Sequence, residues 1–160
     1  MNSNVEETRN LLLQLLDMTQ LGTRLALSGI DPERLVHDDN PAWRVRDVVG
    51  HLGVWNGEAA QSLRAHAEGG KYHCVTLEAK YDEYNSSAVN ERRAWSIGQV
   101  WAEYEASYDQ LKLFVETMLA ENWNSEMLYP WNERGTIRNL IEVMMKHEVD
   151  HRETIVKATS

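Results

Sequence analysis

The residues with the plainest capacity for chemistry are His147 and His151, four positions apart near the C-terminal end of the sequence. On an α-helix that spacing places two side chains one above the other on a single face, so both imidazoles can reach one ion. Leu140 precedes His147 by seven, Met144 precedes it by three, and Ile155 follows His151 by four. The pair therefore continues an apolar stripe that must face the interior. Two protein ligands make a weak site, and a third is expected from a neighbouring helix. His51, three after Val48 and four before Trp55, is the best candidate. Three neutral imidazoles hold a divalent metal ion and leave part of its coordination sphere open to water or a substrate atom. Such an ion lowers the pKa of water toward about 7 and stabilises a thiolate, so hydrolysis and thiol transfer are both available.

The plainer alternative is that the three are core or helix-end histidines with satisfied hydrogen bonds. Asp47, Glu58 and Glu148 can serve as acceptors that orient ring N–H groups, or can be solvated helix-face charges. The residues His147-Glu148-Val149-Asp150-His151 also match the H-E-x-x-H zinc-protease pattern. That reading is rejected: Asp150 and Arg152 bring charge into positions that are largely uncharged in those enzymes, and only nine residues follow His151, too few for a third ligand on a later element. The other histidines are read as surface residues, His37 in a loop beside Asp38 and Asp39, and His66 and His73 around Gly69-Gly70. Cys74 is read as an ordinary thiol, since no cation or helix terminus clearly activates it.

The elements that must carry these residues are helical. Helical spacing predicts a first helix over about 5–26, with Leu12, Leu15, Leu16 and Met18 as its apolar stripe. A second is predicted over about 44–67, a short polar helix within 78–93, and a third long helix opened by the capping box Ser96 to Gln99. A loop holding Trp123, Tyr129, Pro130 and Trp131 follows, and Thr136 caps the last helix. The three prolines fall where helical periodicity lapses, and no β-alternation or internal repeat is visible. The expectation is an all-α fold: a four-helix bundle with a long crossover containing a short extra helix, one domain over 1–160.

Composition narrows the class. At 160 residues and 42% apolar the chain can bury one real core. A net charge of −9 without a basic patch argues against a nucleic-acid partner. A single cysteine excludes an internal disulfide. No apolar run approaches the roughly 20 residues that span a bilayer, and residues 1–8 lack the cationic start of a signal peptide. A cytoplasmic protein that does not engage membranes is expected. Six Trp and six Tyr against one Phe place aromatic rings at element ends or around a cavity, because both types carry a polar tip.

The run Trp43-Arg44-Val45-Arg46-Asp47-Val48-Val49-Gly50-His51-Leu52, the late His147-to-Arg152 block and four helical segments in order resemble the DinB/YfiT-like superfamily of metal-dependent enzymes. The resemblance spans nearly the whole chain. It implies a four-helix bundle in which His51, His147 and His151 hold Zn or Ni, with a homodimer and a low-molecular-weight thiol as further expectations. The crossover residues 80–85 and Tyr129-Pro130-Trp131 look similar to the ClbS/DfsB branch, one member of which opens a cyclopropane in a genotoxin by hydrolysis. Members of that branch do not all rely on a histidine-bound metal, whereas this chain keeps the full trio. Arg44 departs from the Ser or Thr cap of many relatives, at a cost of about 1 kcal/mol unless a neighbour such as Asn40 substitutes. Three functional readings are open. One is a metal-dependent enzyme acting on a small molecule, as a hydrolase or thiol-dependent S-transferase. Another is a resistance or binding protein that sequesters or detoxifies an electrophilic metabolite, with Trp43, Trp55, Tyr84, Asn85 and Trp131 lining its pocket. A structural bundle with a vestigial site is a third.

Overall fold

The computed structural model describes residues 3–38, 42–77 and 79–160. Asn40, read above as a candidate substitute cap, and Glu78, the first residue of the range given for the short polar helix, lie outside them. The described residues form six helices: α1 (Ser3–Leu27), α2 (Val45–Glu68), α3 (Tyr81–Glu91), α4 (Ile97–Thr117), α5 (Ala120–Trp123) and α6 (Ile137–Thr159). Two short antiparallel pairings interrupt them, β1 (Leu35–His37) with β2 (Trp43–Arg44), and β3 (Met127–Leu128) with β4 (Arg134–Gly135). Strands of two or three residues carry no alternation to read, which is why the sequence showed neither these nor α5. The architecture is all-α.

The four long helices form the bundle. α4 and α6 each lie against both α1 and α2, so that α1 and α2 occupy opposite corners. Close approach of α2 to α4 depends on Gly53, where a Cβ would sit 3.2 Å from the Tyr104 backbone. Leu12 and Leu16, Val48 and Leu52, Leu111 and Val115, and Leu140 and Ile141 fill the interior.

One expectation about packing is corrected. Met18 is 68% exposed, and the buried stripe of α1 runs instead through Leu12, Leu16, Gln20, Thr23 and Leu27. Polar residues sit on that stripe because they have partners inside: Gln20 donates to Glu105 (2.6 Å) and Thr23 to Glu148 (2.6 Å). Tyr104 and Tyr108 lie deep in the core on the buried stripe of α4, where the Glu148 carboxylate accepts both hydroxyls.

Helix ends follow their local chemistry. Ser96 and Gln99 close a reciprocal box on α4, with Gln99 N–H to Ser96 Oγ at 3.2 Å and Ser96 N–H to Gln99 Oε1 at 2.8 Å. Thr136 accepts from Asn139 N–H at the start of α6. α2 ends at Gly69, whose φ of 67° suits a residue without Cβ. α3 is held to the bundle by Arg92, whose guanidinium donates through Nε and Nη2 to the two Glu103 oxygens at 2.5 Å each.

Candidate metal centre

His51 projects from α2, and His147 and His151 from one face of α6. Their ligating nitrogens all lie within 4.8 Å of one another. His51 Nε2 and His147 Nε2 are 3.1 Å apart, and the three rings meet edge to face at 4.6–5.0 Å between centroids. Two nitrogens on one Zn at bond lengths of about 2.0–2.1 Å stand about 3 Å apart for angles between square and tetrahedral. The first pair already meets that spacing, and the third ring's nitrogen lies within 4.8 Å of both. The donor set therefore fits a divalent ion of borderline softness.

Burial makes the imidazoles poor bases. His51 is pushed down to about 2, by burial first and then by the charge each neighbouring ring would carry. His147 is pushed down to about 4 for the same reasons, partly offset by Asp150. His151 is lowered by burial and by His37, with Asp150 again opposing. At neutral pH all three are uncharged and keep a lone pair for a ligand.

His37 is a correction. It belongs to β1, which pairs with Trp43 and packs on α6 close enough to act on His151. No spacing in the sequence points to it, because the approach is set by a two-strand pairing across a loop.

None of the three expected carboxylates orients a ring of the trio. Asp47 caps α2 instead: Oδ2 accepts from the Arg44 backbone N–H (2.9 Å) and from Arg44 Nε (3.0 Å). This offsets the missing Ser or Thr at the cap, with Arg44 completing the arrangement through Glu33. Glu58 accepts from the hydroxyls of Tyr72 (2.6 Å) and Tyr84 (3.0 Å). Glu148 is fully buried and points away from the histidines, toward Thr23 of α1 and Tyr104 and Tyr108 of α4. Burial and then its charge raise both tyrosines, which stay neutral donors. A carboxylate with three internal donors is a clamp between helices, not a base facing substrate, and the protease reading of the same five residues has no support in the geometry.

The trio forms one end of a cleft of ≈ 370 Å³ whose other walls are Trp43, Trp55, Tyr81, Asn85, Trp131, Val143 and Met144. Trp43 stacks obliquely on His51 at 5.2 Å. Trp55 donates its indole N–H to Asn85 Oδ1 (2.8 Å) and stacks on Tyr81 at 5.8 Å. Tyr84 is not among the residues lining the cleft; it packs at 73° to Trp55, 5.5 Å between centroids, and donates to Glu58. Tyr81, Val143 and Met144 were not anticipated, although Tyr81 precedes Asn85 by four and Val143 precedes His147 by four. Cys74 is fully buried, its thiol donating to Tyr129 O at 3.2 Å.

A bundle of four long helices with three neutral imidazoles at the end of an aromatic cleft defines a recognisable class of helical protein. The DinB superfamily profile matches residues 5–155, and the chain belongs to that superfamily. Its fold is similar to crystal structures of mycothiol-dependent maleylpyruvate isomerase and of a histidine-to-alanine mutant of that enzyme. Both have a TM-score of 0.75, with 11% and 10% sequence identity respectively. The superposition covers 92% of this chain and 60% of each of those, so the chain accounts for less than two thirds of their length. No curated protein matches the sequence. None of the described helices is long and apolar enough to cross a membrane.

Proposed function

We propose that this chain is a metal-dependent enzyme acting on a small molecule, of the hydrolase or thiol-dependent S-transferase type, with His51, His147 and His151 as ligands of Zn or Ni. The observation that carries the reading is the convergence of three uncharged imidazoles at the end of an otherwise apolar cleft. A divalent ion there supplies a Lewis acid that lowers the pKa of water or of a low-molecular-weight thiol. The chain's own residues do the rest. Trp43, Trp55 and Trp131 exclude bulk water from the reacting end, and the clamp at Glu148 holds α6 at the rotation that turns His147 and His151 inward. The thiol-dependent type is favoured by the fold shared with the mycothiol-dependent isomerase. Consumption of a low-molecular-weight thiol in the presence of electrophiles supports transfer, incorporation of labelled water supports hydrolysis, and neither, with metal bound, refutes both.

A second reading, a protein that sequesters or detoxifies an electrophilic metabolite without metal catalysis, is favoured by the aromatic walls alone; it predicts tight binding without turnover. The proposal includes one domain over 1–160, a cytoplasmic location and a homodimer. The dimer is supported by Leu11, Met18, Leu21 and Leu25, all at least half exposed and spaced at threes, fours and sevens along one face of α1. Light scattering at two protein concentrations decides it: a mass of one chain at both refutes the dimer.

A further inference from the structure

The lining of the cleft also bears on what it holds. Among the described residues, no Lys, Arg, Asp or Glu lines it. The nearest arginines in sequence are committed elsewhere. Arg44 pairs with Glu33 and Asp47, Arg46 with Glu33 (2.8 Å) and the Trp95 carbonyl, and Arg152, next to His151, donates to Thr19 O (3.3 Å). A ligand with several charges would lose its hydration here and gain no opposite side-chain charge, which is costly. The charged end of any ligand has only the histidine end to face.

The polar groups that remain are few: the Tyr81 hydroxyl, which can donate or accept, the indole N–H groups and the Asn85 amide. The Trp131 indole N–H donates to Glu133 (3.0 Å) and the Trp55 indole N–H to Asn85 (2.8 Å). An indole N–H is a donor only, so the Asn85 atom that meets it must be the amide oxygen. Asn85 lines the cleft, and with its oxygen taken by Trp55 the group it has left to offer a ligand is the amide N–H₂, a donor. Trp55 is held by Asn85, by Tyr81 stacked on it and by Tyr84 at 73° to it, so the indole is a fixed part of the cleft wall. Trp131 is held by Glu133 and by Tyr129 at 5.1 Å.

We infer that the cleft selects a neutral, planar aromatic ligand carrying a carbonyl-type acceptor, with the ring against the indoles, the acceptor on Asn85 and the reacting end at the histidines. The inference rests on the proposed use of this cleft as the substrate site. It excludes small aliphatic dicarboxylates as good ligands. Aromatic stacking supplies affinity for the ring, and Asn85 supplies discrimination, because a donor left without a partner in an apolar cleft penalises ligands that lack an acceptor.

The test is a ligand-observed NMR titration of the full chain, as purified and after cobalt addition, with three probes. Coumarin is a neutral ring with a carbonyl, naphthalene a ring without one, and fumarate a dianion without a ring. Coumarin is expected to bind most tightly and fumarate at least tenfold more weakly. Asn85→Asp keeps an acceptor for Trp55 but removes the donor. It is expected to weaken coumarin about tenfold, one hydrogen bond's worth, and naphthalene less than twofold. Trp131→Ala is expected to weaken both rings. Fumarate binding as tightly as coumarin, coumarin failing to bind, or Asn85→Asp weakening both rings equally overturns the inference. The cobalt absorption spectrum of the same samples reports on the trio separately. Its absence, with coumarin selectivity and the Asn85 effect intact, refutes the metal reading and supports the cleft assignment.

Discussion

Replacing Glu148 by alanine tests whether this carboxylate is a helix clamp. It is fully buried and accepts hydrogen bonds from Thr23, Tyr104 and Tyr108, which come from two other helices. Alanine leaves three hydroxyls without their acceptor. Hydrogen bonds to a charged group contribute about 1.5–3 kcal/mol each, so a simple sum gives roughly 4.5–9 kcal/mol. The net loss is smaller, because the substitution also removes the cost of burying a charge, and about 3–5 kcal/mol is expected. For a chain of this length that lowers Tm by on the order of 10 °C. Glu148→Gln keeps one acceptor oxygen but turns an amide N–H₂ toward a hydroxyl, and should lose about 1–3 kcal/mol. Urea titration followed by circular dichroism measures both. A Glu148→Ala protein within 1 kcal/mol of wild type refutes the clamp. A Glu148→Gln protein of unchanged stability but abolished turnover would instead restore the general-base role rejected here.

Three further outcomes follow from the same geometry. His51 and His147 have folded-state pKa values of about 2 and about 4 against 6.5 for the free side chain, so the unfolded chain binds more protons below pH 6.5. Their contribution is fully present above that value and is lost as pH falls toward the folded values. The metal-free protein should lose about 2–4 kcal/mol from these groups between pH 7.5 and 5, and a variant lacking both should show a flatter profile in urea titrations. Gly53→Ala should destabilise by about 1–2 kcal/mol despite alanine's better helix propensity, because the added Cβ meets the Tyr104 backbone. Gly57→Ala, with nothing within 4 Å of its Cβ, should stabilise by up to about 1 kcal/mol; equal thermal shifts in the two variants contradict the packing described. Asp47→Ala should cost about 1–2 kcal/mol in thermal denaturation yet change metal affinity less than twofold, since its oxygens cap α2; a tenfold loss of metal affinity contradicts that role.

The helices were legible in the sequence because their signals are local. Ser96-Gln99 and Thr136 announce their helices by hydrogen bonds that span three residues, and the i, i+4 pair on α6 needs only helical geometry to share a face. The third histidine was legible through its place on the apolar side of α2 and through resemblance. What was not legible depends on partners far away in sequence. Thr23 and Gln20 are polar, so hydrophobic periodicity passes over them, yet they are buried because Glu148 and Glu105 wait on other helices. Met18 looked like core only because its type is apolar. Glu58 and Glu148 looked like solvated or ring-orienting charges because the tyrosines that bind them lie 14–44 residues away. His37 and Tyr81 reach the cleft region through a strand pairing and a crossover helix whose docking no periodicity encodes.

The most direct test of the three-histidine centre is metal stoichiometry. Untagged protein, stripped with chelator and re-exposed to Zn or Ni, is dialysed and measured by elemental analysis beside a His147→Ala/His151→Ala variant whose circular dichroism shows it folded. One ion per wild-type chain and none in the variant is the predicted result. A folded wild type that takes up no stoichiometric metal, or a variant that takes up as much, contradicts it.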